Sequence, residues 1–140
     1  MKHILILYFL FAYANSDAQT SKIIVQVENV NIKKGGDLST GIFVENNFLK
    51  IGKQTYSKVS AVSGSTMEII YDNIPSGEYA FVAFQDVDKN DKLQTNFIGY
   101  PKEPVGFSNN AKIVFGPPSF NDAKVKIEAG KIVRIRIKLK

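Results

Sequence analysis

Apolar and polar residues alternate along several short segments of the chain, and this period of two is typical of a β-strand buried on one face. The clearest alternation lies in residues 22–30 and 131–139, with shorter stretches at 40–46, 67–71 and 123–127. No segment shows the helical period over a useful length. Short strands at roughly ten-residue spacing predict an all-β fold. We expect a single antiparallel β-sandwich of transthyretin-like or immunoglobulin-like type, with about seven to eight strands.

One predicted strand, at residues 79–84, is apolar on both faces. Tyr79, Phe81 and Ala83 alternate with Ala80, Val82 and Phe84. A strand without a polar face is expected at the centre of a sheet, covered on both sides. Asp86 ends this strand, and a long irregular region follows, in which residues 111–115 predict one further short strand. Residues 47–62 indicate either a strand or a looser excursion.

The N-terminal segment has the features of a secretory signal peptide: a basic start, a short apolar core, and small residues Ser16 and Ala18 before a cleavage point. The sequence therefore predicts a signal peptide at 1–18 and a β-sandwich domain at 19–140. An apolar run this short does not span a hydrocarbon core of about 30 Å, so no transmembrane segment is expected in the mature chain. The predicted location is periplasmic or extracellular.

The residue types present exclude several kinds of chemistry. The chain has no cysteine and one histidine, His3, which lies in the predicted signal peptide. A Ser-His-Asp or Cys-His catalytic arrangement and the usual zinc ligands are therefore missing. We predict a non-enzymatic binding or structural module. The alternative is a carboxylate-dependent hydrolase that pairs Asp86 with Asp88, or Asp91 with Glu103.

The formal net charge is +5, and basic residues are concentrated at the C-terminal end of the chain. Basic surfaces attract nucleic acid, anionic lipid or acidic polysaccharide. Export makes nucleic acid the least expected of these, and we predict a protein or polysaccharide partner. Arg134, Arg136 and Lys138 could provide the contact face of an adhesion or scaffold partner in a cell-envelope assembly. The plainer interpretation is a solvated strand face.

The loop that begins at Asp86 has the spacing of a calcium loop. Calcium takes six to eight oxygen ligands, and calcium loops place them at positions 1, 3 and 5, at a backbone carbonyl at 7, and often at 9. The residues at these positions are Asp86, Asp88, Asn90, Lys92 and Gln94. Asp86, Asp88, Asn90 and Gln94 would contribute side-chain oxygens, and Lys92 its backbone carbonyl. The sequence thus predicts a candidate calcium site, and no other cofactor.

Two positions depart from the calcium-loop pattern. Asp91 replaces the glycine of position 6, and Phe97 replaces the bidentate glutamate of position 12. A further ligand would have to come from Gln94, from Asp91, or from Glu103 folding back. The alternative is an ordinary polar turn in which Asp and Asn side chains accept hydrogen bonds from nearby backbone amides.

Four blocks of sequence, "IPSGEYA", "DVDKNDKLQTN", "GYPKEPVGFSNNA" and "FGPPSFNDA", occur in this order between residues 74 and 127. Together they resemble the bacterial domain-of-unknown-function family numbered 2141. The resemblance implies a small exported β-sandwich and no particular activity. The chain departs from the family pattern at Asp91, where glycine is usual, and at Gln94, where aspartate is usual.

The last two blocks have two interpretations. In the first, a rigid platform presents a ligand-binding surface made of Tyr100, Phe107, Asn109 and Asn110. In the second, the polar side chains bond the loop backbone and the aromatic rings hold the loop against the sandwich. The residues of the second interpretation are Ser108, Asn109 and Asn110, with Phe107, Phe115 and Phe120.

Overall fold

The structure, a computed structural model, describes residues 19–93 and 100–140. The predicted signal peptide lies outside these residues. The strands are β1 (Ser21–Glu28), β2 (Asp37–Phe43), β3 (Tyr56–Ala61), β4 (Thr66–Ile74), β5 (Gly77–Asp86), β6 (Val105–Phe107), β7 (Lys124–Ile127) and β8 (Ile132–Lys138). One short α-helix, α1 (Phe120–Ala123), precedes β7, and 3-10 turns lie at Ile32–Lys34, Glu45–Asn47 and Ser108–Asn110.

The strands form two sheets, which confirms the predicted all-β sandwich. The first sheet has the order β4-β1-β8, and the second has the order β3-β2-β5-β6, with β7 also paired to β5. Antiparallel pairing was expected throughout, but β1 and β8 are parallel, with Lys22 opposite Ile132. A parallel pair needs a long crossover connection. Here the whole intervening domain serves as that connection.

The main core lies between the two sheets and contains the inward residues predicted from the alternation. The first sheet contributes fully buried side chains such as Ile23, Val27 and Ile137, and the second contributes Leu38 and Phe81. The outward residues of β8 are exposed. Burial of one face on each strand explains why a period of two dominates the sequence.

A buried polar pair crosses the main core. The hydroxyl of Thr40 on β2 lies 2.7 Å from the hydroxyl of Tyr71 on β4, and Tyr71 also donates to the carbonyl oxygen of Thr40. Burial raises the pKa of Tyr71 to about 12. The phenol is therefore neutral at physiological pH, and its hydrogen bonds tie the two sheets together at a fixed point.

β5 is covered on both faces, as its two apolar faces predict. Phe81 and Ala83 face the main core, whereas Ala80 and Val82 belong to a second apolar cluster beneath the loops. This second cluster also contains Phe43, Val105, Phe107, Phe120 and Ala123. The outer face of the second sheet thus supports a layer of loops, which is where the candidate site lies.

The strand predicted at 111–115 is wrong. These residues form no ladder, and the short strand of this region is β6. Asn109 and Asn110 both have positive φ and turn the chain away from the sheet. On β5, the edge opposite β2 is already paired with β6 and β7. Within that run, Phe115 is fully exposed.

Two other boundaries differ from the expected ones. β2 begins at Asp37, ahead of the predicted segment 40–46, and the 3-10 turn Glu45–Asn47 replaces its end. The region 47–62 was predicted to be either a strand or an irregular segment. It contains β3, and the residues before β3 are irregular. β3 is an edge strand that pairs only with β2 among the described strands, so its burial signal in the sequence is weak.

Gln85, next to the end of β5, holds the connection between β1 and β2 in place. Its side chain is fully buried and uses both ends of the amide. Nε2 donates to the carbonyl oxygens of Asn31 (2.8 Å) and Gly35 (2.6 Å), and Oε1 accepts from the Asn31 N–H (2.9 Å). A buried amide satisfied in this way fixes the backbone beside the loop that follows β5.

Candidate functional site

The candidate site begins where β5 ends. Asp86 is the last residue of that strand, lies opposite Asp37 of β2, and is 1% exposed. Its carboxylate accepts hydrogen bonds from two backbone N–H groups of the following loop, those of Asn90 (3.1 Å) and Asp91 (2.7 Å). These two hydrogen bonds fold the loop around the buried Asp86 carboxylate directly after the end of β5.

Asp88 and Asn90 continue the curl. Asp88 accepts from the backbone N–H of Asn90 at 3.3 Å, and Asn90 Oδ1 accepts from the backbone N–H of Lys92 at 2.9 Å. These are the amide-held turns of the second interpretation of this loop. Each oxygen of the Asp86 carboxylate accepts one backbone bond and has a second lone pair, so the turn and an ion are compatible at Asp86.

The residue at position 6 of the loop adopts the backbone conformation that glycine normally supplies there. Asp91 has a φ of 62°, in the left-handed region. Aspartate tolerates this region better than most residues, because its short polar side chain bonds locally. The departure from glycine seen in the sequence therefore does not prevent the sharp turn.

Glu103 lies beside Asp86 because of the strand register. β6 runs antiparallel to β5 with Val105 opposite Phe84, and the Gln85 N–H donates to the Pro104 carbonyl at 2.9 Å. Asp86 lies two residues after Phe84, and Glu103 lies two residues before Val105. The same register therefore places Asp86 and Glu103 opposite each other. Glu103 is 8% exposed, and its Oε1 accepts from the Val87 N–H at 3.0 Å.

The structure therefore brings three acids together. Carboxylate oxygens of Asp86, Asp88 and Glu103 all lie within 4.8 Å of one another. Two of the predicted calcium ligands, Asp86 and Asp88, belong to this group, and Glu103 is one of the three residues considered for the missing ligand. Hard oxygen donors at this spacing suit a calcium ion.

The other predicted ligands have different positions. The Asn90 side chain bridges the turn, donating to Asp88 Oδ2 at 3.2 Å as well as accepting from Lys92. Lys92 is exposed, and Gln94 lies outside the described residues. Lys89 points toward β2, where its ammonium lies 3.8 Å from Asp37. The Lys89 ammonium is thus paired with an acid outside the group of three.

The four residues of the predicted ligand-binding surface differ in their exposure to solvent. Tyr100 is 53% exposed, whereas Phe107 is 4% exposed and packs in the second apolar cluster. Tyr100, Phe107 and Asn110 line one small cavity. Asn109 and Asn110 are exposed, yet both bond to the backbone. Asn109 Nδ2 donates to the carbonyls of Asp122 and Lys124, and Asn110 Oδ1 accepts from the Lys138 N–H.

The loop-holding interpretation describes these residues better. Ser108 is fully buried, accepts from the Phe81 N–H at 2.9 Å, and donates to the carbonyl of Ala123. Phe120 is buried beside it in the second cluster, whereas Phe115 makes no such contribution because it is fully exposed. The polar residues Ser108, Asn109 and Asn110 thus connect β5, α1 and β8.

The fold and the site define a small all-β sandwich with an acidic loop braced against one sheet. Within the described residues, no helix has the length and hydropathy that a membrane crossing would require. The model of the family described as an uncharacterized protein conserved in bacteria (DUF2141) matches residues 25–135. The chain therefore belongs to that family, as its four sequence blocks predict. No curated protein and no solved structure matches it.

Proposed function

We propose that this protein is an exported, non-enzymatic binding module, and that a calcium ion stiffens the loop that follows β5. The observation that carries the calcium proposal is the convergence of three carboxylates from both sides of the loop within 4.8 Å. An ion held by Asp86, Asp88 and Glu103 would join the end of β5 to the segment that leads into β6. The loop would then present a fixed surface.

The energetics of burial support a bound cation. Asp86 is 1% exposed and Glu103 is 8% exposed, and both are acids in one small volume. Burying a charge is costly unless it is paired, and two like charges at short range repel each other. The backbone N–H donors offset part of this cost. A divalent cation would remove the repulsion and satisfy the remaining lone pairs.

The non-enzymatic part of the proposal rests on the residues that remain for catalysis. Residues 19–140 contain neither histidine nor cysteine. Each acid pair of the hydrolase alternative includes one buried member, Asp86 in the first pair and Glu103 in the second. A general acid or base must come within hydrogen-bond distance of the substrate. Here Asp86 and Glu103 accept hydrogen bonds from backbone N–H groups of their own loop. These positions favour a structural role for the acids.

The scaffold alternative depends on the basic face of β8. Arg134 on that face is bonded within its own sheet, to Gln26 at 2.9 Å and to Glu68. This pairing neutralises part of the charge that an acidic partner would contact. We therefore rank a loop-centred binding role above a role for the basic face.

Calcium should raise the melting temperature of the wild-type protein. A ligand present at about one hundred times its Kd stabilises the native state by about 2.7 kcal/mol. For a domain of this size we expect a rise of about 10 °C over a sample in chelator. Magnesium at equal concentration should give a smaller rise, because it demands tighter octahedral geometry. Calorimetric melts in calcium, magnesium and chelator make the comparison.

Glu103→Gln should remove most of that calcium response. Glutamine can still accept from the Val87 N–H, so the turn is kept while one charge is lost. In chelator the variant should be at least as stable as the wild type, because the acid repulsion is reduced. Glu78→Gln, a change to an exposed acid near Lys124, is the matched control and should respond like the wild type. Equal melting temperatures in calcium and chelator for the wild type would refute the calcium proposal.

Export predicts removal of residues 1–18. Protein recovered from the periplasmic fraction or the medium should begin at Gln19 when its N-terminus is sequenced. Ala18→Phe is the control, since a bulky residue before the cleavage point should block processing. Recovery of the wild-type protein only from the cytoplasm, with Met1 still present, would show that the chain is not exported.

A further inference from the structure

A groove of about 330 Å³ lies on the outer face of the second sheet. Its floor is formed by β2 and β5, and its walls are the loops around residues 49–54, 91–93 and 113–117. Apolar side chains dominate the lining, and six of them are Phe43, Leu49, Val82, Phe84, Leu93 and Ile113. Ligand sites are typically concave, mainly apolar and of about this volume or larger.

The floor of the groove contains a glycine in the middle of a strand. Gly41 lies in β2 between β3 and β5, where a glycine weakens the strand. A Cβ there would meet only side-chain atoms, 3.2 Å from the Phe43 ring and 3.5 Å from Gln54 Cβ. A mid-strand glycine often marks a place where another molecule approaches the backbone closely. A larger side chain at this position would enter the groove.

One wall residue is held in a strained conformation. Leu49 has a φ of 59°, which is rare for a bulky residue, and its side chain is half-buried against the second cluster. The next residues of the same loop extend the apolar surface outward, because Ile51 lines the groove and is 88% exposed. The apolar lining therefore continues to the mouth of the groove.

Charged residues occur only at the rim of this apolar lining. Lys50, Asp91 and Lys92 line the groove and are exposed. Among residues 19–93 and 100–140, neither lysine forms an ion pair. With two cations and one anion, the rim carries a net charge of +1. An apolar cleft with a cationic rim complements a molecule that has an apolar body and an anionic end.

We propose that this groove binds a single-chain amphiphile with a carboxylate head, a medium- to long-chain fatty acid. The hydrocarbon chain lies on the floor over Gly41 between Phe43 and Phe84, and the carboxylate contacts Lys50 and Lys92 at the rim. This inference rests on the proposed binding role and names its ligand class. The groove residues are distinct from the three clustered acids, so the two proposals can be tested separately.

The test is calorimetric titration of the full mature protein with decanoate, dodecanoate and tetradecanoate below their micelle concentrations. Each buried CH₂ contributes enough free energy that two more should raise the affinity about tenfold, until the groove is filled. Dodecanol, which lacks the charge, should bind about tenfold more weakly than dodecanoate. Absence of binding for every chain length, with calcium or with chelator, would overturn the proposal.

Three variants locate the ligand. Lys50→Gln with Lys92→Gln should weaken dodecanoate about tenfold, whereas Lys33→Gln with Lys34→Gln, two exposed lysines outside the groove, should change nothing. Gly41→Leu should abolish binding by filling the floor. Gly41→Ala should weaken it less and preserve folding, which a thermal melt verifies. Unchanged dodecanoate affinity in both Gly41 variants would show that the ligand lies elsewhere.

Vesicles distinguish a monomeric ligand from a membrane surface. The wild-type protein should bind monomeric dodecanoate and should not co-sediment with vesicles of phosphatidylglycerol and phosphatidylcholine. Co-sedimentation without dodecanoate binding would replace this proposal with a surface-docking role for the exposed loop tips. The calcium melts are separate: a calcium-dependent rise in melting temperature with no dodecanoate binding would refute the fatty-acid proposal alone.

Discussion

Gly36→Ala should destabilise the protein by about 3 kcal/mol or more. Gly36 has a φ of 80°, and a Cβ built on it would lie 2.2 Å from the carbonyl oxygen of Asp86 and 2.7 Å from Val87 Cα. Both are backbone atoms, so no rotamer change can relieve the overlap. The chain beside the acidic loop would have to shift, and the β2–β5 pairing would weaken at its end.

The adjacent glycine provides the matched control. Gly35 also has a positive φ, of 62°, but a Cβ there would meet nothing within 4 Å. Gly35→Ala should therefore cost only the left-handed backbone penalty, about 1 kcal/mol. Urea denaturation of both variants separates the close approach from the conformational strain. Similar losses at the two positions would mean that the backbone relaxes around residue 36, contrary to this account.

Gln85→Glu should cost about 3 to 5 kcal/mol near neutral pH, the range for an uncompensated buried charge. The substitution keeps the size of the side chain but replaces Nε2, which donates to the carbonyls of Asn31 and Gly35, with an oxygen. Two carbonyl oxygens would then face a carboxylate. The connection between β1 and β2 would lose its attachment to β5.

The loss from Gln85→Glu should shrink in acid. Burial and the facing carbonyls raise the pKa of the introduced carboxyl in the folded state above its unfolded value of about 4.3. The charge penalty is therefore absent below about pH 4 and grows as the pH rises to the folded pKa. Unfolding measured near pH 4 and near pH 7 tests this, relative to wild type at each pH. Gln54→Glu, at an exposed position, should change the free energy of unfolding by no more than about 0.5 kcal/mol at either pH.

The strands of the main core were predictable because each buries one face. β1, β4, β5 and β8 all contain the apolar positions that the alternation places inward. The same alternation cannot identify a neighbouring strand, since a strand buried on one face has the same pattern in parallel and antiparallel pairs. The parallel β1–β8 pair was missed for this reason. The run at 111–115 was overpredicted because apolar content alone does not make a segment pair, and the positive φ of Asn109 and Asn110 turns the chain away from the sheet just before it.

The candidate site was predictable as far as it is local in sequence. Asp86 and Asp88 were identified from their spacing in the sequence, because both lie in the same tight turn of the backbone. Glu103 was only one of three possibilities, because its position depends on the register of β6 against β5. β6 has three residues and includes a glycine, too little for a periodic signal. The groove could not be found at all, since it forms only where separate loops meet over the sheet.

The position of β1 affects the order in which the protein can fold. β1 is the central strand of its sheet, and its parallel partner β8 lies far from it along the chain, with Ile132 opposite Lys22. Lys131 donates its N–H to the hydroxyl of Ser21, 110 residues earlier in the chain. A nascent chain therefore holds β1 half-paired until β8 has been made. Because such distant contacts close slowly, we expect the β1–β8 pairing to form late in folding, and the unpaired β1 to be what a chaperone would cover.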